Sequence, residues 1–74
     1  MSRLIRMDGS GHTTLAEWTT EDLAAVERAV AAFREELEQG SIAMVTRGPG
    51  HAEHVRELPL DEPLVIMRRP IAGG

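Results

Sequence analysis

Apolar and polar positions alternate with a period of two at the start of the chain, shift to spacings of three and four in its middle, and crowd together near its end. Arg3 to Met7 reads as a first strand, with Ile5 and Met7 on one face and Leu4 and Arg6 on the other. Asp8-Gly9-Ser10-Gly11 supplies turn chemistry. His12 to Trp18, rich in Thr, reads as a second strand, so residues 3–18 form a hairpin. Thr19 or Thr20 caps a helix whose first turn carries Glu21 and Asp22. Its apolar stripe is Leu23, Val26, Val30, Phe33 and Leu37, and Gly40 ends it. Roughly two to three heptads are too few for a free-standing coiled coil, so the stripe is read as packing on a sheet.

Ser41 to Arg47 follows as a third strand, with Ile42 and Met44 on one face and Ala43 and Val45 on the other. Gly48-Pro49-Gly50 breaks it, and His51 to Leu58 reads as a more polar edge strand, followed by the connection Pro59 to Pro63. Leu64-Val65-Ile66-Met67 is a run of four apolar residues without alternation, as in a strand covered on both faces. The last strand in sequence is thus expected at the centre of the sheet, beside and parallel to the first. The order is β-β-α-β-β-β, an α+β fold with a mixed sheet packed on one long helix.

At 74 residues there is room for one domain. A domain of this size buries roughly 60% of the surface its unfolded chain exposes. The chain has no cysteine, which excludes disulfides, thiolate metal sites and a cysteine nucleophile of its own. Its net charge is −4 and its basic residues are scattered apart from Arg68-Arg69, which argues against nucleic acid as a partner. All 8 basic residues are arginine, so no lysine is available to receive a modifier. No segment approaches the roughly 18 apolar residues of a membrane span, and the first residues lack a signal-peptide run. The expected location is therefore cytoplasmic, with no membrane partner.

Candidate catalytic residues are few. Asp8, Ser10 and His12 lie close in sequence, but in a hairpin turn that nearness is not the convergent geometry of a triad. His51 and His54 have no obvious third ligand and would face opposite ways on a strand. No catalytic residue, metal or cofactor is expected. Glu35, Glu36 and Glu38 crowd the last helical turn, where the dipole disfavours anions, and read as a solvated helix end or an acidic patch facing a partner.

The closing segment, from Leu60-Asp61-Glu62-Pro63 through Leu64-Val65-Ile66-Met67 and Arg68-Arg69-Pro70 to Ile71-Ala72-Gly73-Gly74, resembles the end of prokaryotic sulfur carriers. Together with the element order, it looks like the β-grasp fold of ubiquitin-like proteins. The long helix and the long second hairpin depart from a minimal sulfur carrier. The resemblance implies a single β-grasp domain over residues 1–70 and a flexible tail over 71–74. It also implies that a partner, an ATP-dependent activating enzyme, adenylates the carboxylate of Gly74 for thiocarboxylate or conjugate formation, with Gly73 giving clearance. Arg68 and Arg69 would be a handle for carboxylates on that partner. Leu4, Ile42, Met44 and Leu64 or Ile66 are expected to form an exposed apolar patch, and the chain to be a monomer or weak dimer. The alternative is a non-catalytic interaction module of the same fold whose tail is inert.

Overall fold

The computed structural model describes residues 1–46 and 49–69. The elements along the chain are β1 (Ser2–Asp8), β2 (Gly11–Trp18), α1 (Leu23–Glu38), β3 (Ile42–Thr46), β4 (Ala52–Val55) and β5 (Leu64–Arg68). The fold is α+β: one helix packs on a five-stranded mixed sheet of spatial order β2-β1-β5-β3-β4. β5 lies at the centre, parallel to β1 and antiparallel to β3, but it is covered on one face only: Val65 and Met67 are buried under α1, while Leu64 and Ile66 are half-buried on the other side. The tail expected over 71–74 lies outside the described residues.

β1 and β2 are joined through a turn built by Asp8, whose carboxylate accepts from the Ser10 amide at 2.9 Å and the Ser10 hydroxyl at 2.7 Å. Gly11 follows at φ +130, a backbone conformation that a side chain disfavours. Within the hairpin the register shifts between Leu4 and Ile5, and this irregularity brings both Leu15 and Ala16 into partial cover.

The helix begins two or three residues later than Thr20 or Thr19 would have it. Asp22 is the cap, its carboxylate accepting from the Ala25 amide at 3.1 Å. At the other end, Gly40 donates to the Leu37 carbonyl and Ser41 to the Glu36 carbonyl, each at 3.0 Å, with Gly40 at φ +94. That paired closure satisfies carbonyls the helix leaves open.

The buried face of α1 overlaps the expected stripe only in part: Phe33 is buried and Val26 and Leu37 pack at the edge of the core. Ala25, Ala29 and Phe33 face the sheet, while Leu23 is 73% exposed. Small side chains on the helix match the bulk that the sheet presents: Trp18, Leu4, Val65 and Met67 are fully buried beneath it. Glu36 corrects a second expectation, being 5% exposed rather than solvated. β4 is also shorter than His51 to Leu58, because after Val55 the chain turns away from β3 and packs Leu58 and Leu60 against the core. The Leu60 carbonyl accepts from the Trp18 indole at 3.1 Å, which ties this connection to the end of β2.

Candidate functional surface

Strand pairing places side chains on the two faces of the sheet without ambiguity. Leu4 pairs with Val65 and Ala43 with Met67, all in the core under α1. The opposite face is crossed by the row Thr14, Ile5, Ile66, Met44 and His54, each opposite its neighbour. A second row runs His12, Met7, Arg68 and Ile42. Ile42, Met44, Leu64 and Ile66 are partly exposed there, and Met7 is 44% exposed.

Three of the four apolar positions expected at a patch are thus brought together: Ile42, Met44 and Ile66. Leu4 is not among them, being wholly buried on the helix side. Ile5 lies on the open face instead, itself only 7% exposed. The cause is the Leu4-Ile5 pair itself, apolar on both sides, so alternation leaves the face of β1 unassigned. The deciding contact is remote, since Arg6 on the same face as Leu4 reaches Glu36 on the helix at 3.2 Å.

Arg68 and Arg69 are both exposed at the end of the central strand. Arg68 stands on the open face between Met7 and Ile42, while Arg69 donates to the side-chain carbonyl of Gln39 at the helix end. Arg69 also borders a shallow cleft with Arg6, Met7 and Asp8. The two arginines therefore stand in different surroundings. Gly73 and Gly74 lie outside the described residues.

The hydrogen bonds from Ser10 hold the Asp8 carboxyl below its ordinary range, aided by the charge of Arg6. They also commit Ser10 to that carboxylate, so the turn is a structural unit. His12 stands across from Met7 on the open face. Among the described residues no three His, Asp or Glu side chains are grouped to hold a metal ion. No helix there is long and apolar enough to cross a membrane.

The chain matches no family model, no curated protein and no solved structure. Among the described strand residues the open face has an apolar centre with Arg3 at one end and Arg68 at the other, and Glu17 stands opposite Arg3.

Proposed function

We propose that the chain is a β-grasp, ubiquitin-like carrier or modifier whose Gly74 carboxylate is activated by a partner enzyme. The observation that carries this reading is the central β5, parallel to β1, which directs the chain from Arg68 and Arg69 toward the Gly73-Gly74 end. A strand held between two neighbours gives a firm base for a segment that must thread into another protein. Two glycines admit close backbone approach there, where a Cβ would block it. Activation would join the carboxylate to the α-phosphate of ATP with loss of pyrophosphate. A sulfur donor or an amine would then displace AMP.

In this reading the open sheet face docks the activating enzyme, with Ile42, Met44 and Ile66 at its centre and Arg68 at its edge. Intact-mass spectrometry of the protein isolated from its own host tests the proposal. A terminus heavier by about 16 Da, as sulfur replaces oxygen, or a conjugate through Gly74, is the expected result. A free carboxylate in every molecule, with function retained after removal of Gly73-Gly74, would overturn it.

A second reading rests on the partly exposed Ile42, Met44, Leu64 and Ile66. In it the chain is a non-catalytic interaction module working through the open face. Loss of binding in Met44→Glu together with indifference to loss of the two glycines would select that reading.

A further inference from the structure

The helix offers a second surface, independent of the tail and of the open sheet face. With Ala25, Ala29 and Phe33 turned to the sheet, successive residues advance by about 100° around the axis. Val26, Val30 and Leu37 then fall on one flank with Leu23 just beyond them, and the other flank carries Ala32, Arg28 and Glu35. Val26, Val30 and Leu37 are partly exposed, Val26 and Leu37 resting their inner sides on the core, and Leu23 is 73% exposed. Beside that flank an open groove runs between the helix and the connection to β5, lined by Val30, Phe33, Arg34, Arg56, Leu58 and Leu60 among others.

Glu27 and Arg34 border the apolar flank, both exposed. They are two turns apart, about 10 Å along the axis, too far to pair with each other. Among the described residues neither forms an ion pair within its own chain. The flank is therefore an apolar strip bordered by Glu27 toward its amino end and Arg34 toward its carboxyl end, with Glu38 one turn beyond Arg34 and Glu57 across the groove. The Glu27 and Arg34 borders are complementary to each other when the strip is turned end for end.

We propose that this flank of α1 is the contact of a symmetric, antiparallel dimer of the chain. With the two-fold axis beside Val30, Val30 meets its counterpart and Leu23 of each copy comes opposite Leu37 of the other. Glu27 of each copy then comes opposite Arg34 of the other, so a single charge pair is used twice, as an isologous contact requires. The antiparallel arrangement also opposes the two helix dipoles. A helix of 16 residues is about 24 Å long, so the contact falls below the roughly 1,200 Å² of a standard interface. The dimer is accordingly weak and forms with rising concentration.

Sedimentation of the full chain from about 10 μM to about 1 mM tests the proposal. The expected mass rises toward twice that of the monomer, and Leu23→Glu and Arg34→Glu each hold the chain monomeric. The double variant Glu27→Arg/Arg34→Glu restores the dimer, because each swapped charge again meets its opposite across the two-fold axis. All three side chains are exposed, and a far-UV circular dichroism spectrum unchanged from the parent shows that each variant is folded. A parent chain that stays monomeric at the highest concentration overturns the proposal. So does a dimer that survives both single substitutions, or a double variant that fails to dimerise.

Discussion

Glu36 sits at the end of the helix where the backbone dipole opposes an anion, yet it is buried, bonded to Arg6 at 3.2 Å and to the Ser41 hydroxyl at 3.0 Å. Removing Arg6 leaves a carboxylate with its charge unmatched in a site of little water. Arg6→Ala is expected to destabilise the fold by about 1–3 kcal/mol, at the low end because the Arg6 side chain is itself 33% exposed. Glu36→Gln, which keeps an acceptor for Ser41, should cost less; urea unfolding of both variants checks the order. Leu4 and Leu23 make a sharper pair, at 0% and 73% exposure. Leu4→Ala is expected to cost about 2–5 kcal/mol. Leu23→Ala at low concentration should cost less than about 0.5 kcal/mol, measured the same way. Asp8 sets a pH dependence. Its pKa is lowered in the folded chain, so its contribution to stability is present above the unfolded value and is lost as pH falls through the folded one. In melting curves, the difference between the parent and Asp8→Ala should shrink as the solution is made acidic.

At the scale of elements, the two ends of α1 are closed by different devices. The Asp22 cap contributes about 1 kcal/mol, so Asp22→Ala should lower stability by that amount in chemical denaturation. At the other end, nothing lies within 4 Å of where a Cβ on Gly40 would sit, so crowding does not oppose a side chain there. Its φ of +94 does, and Gly40→Ala is expected to cost about 1 kcal/mol or more. Apolar spacing foretold that a helix would lie here but mislaid its orientation. Leu23, Val26, Val30, Phe33 and Leu37 share a stripe by periodicity. Bulk on the sheet instead selects the alanines, Ala25 and Ala29, for close approach.

For the whole molecule, the central β5 makes stability depend on the last part of the chain. It joins β1 on one side and β3 on the other, so a chain ending at Pro63 leaves two separate hairpins and an uncovered helix. Such a truncation is expected to abolish the cooperative thermal transition, measured by circular dichroism. The same centrality separates two surfaces. The open sheet face gathers Ile42, Met44 and Ile66 around β5, and the helix flank lies on the other side of the core. A partner on the sheet face and a second copy on the helix therefore need not compete.

By itself the sequence determined the type and sequence of elements, because periodicity, turn chemistry and a run of four apolar residues are local signals. It also pointed to the last strand as central in the sheet, though the expected cover on both faces came on one only, Leu64 and Ile66 staying partly exposed. Only the tertiary structure decided which side of β1 is the core, which face of α1 is buried and how Glu36 is held. Those choices rest on contacts between residues far apart in the chain, Arg6 with Glu36 and Leu4 with Val65. Leu4 and Ile5 are equally apolar, and only the helix above one of them makes them different.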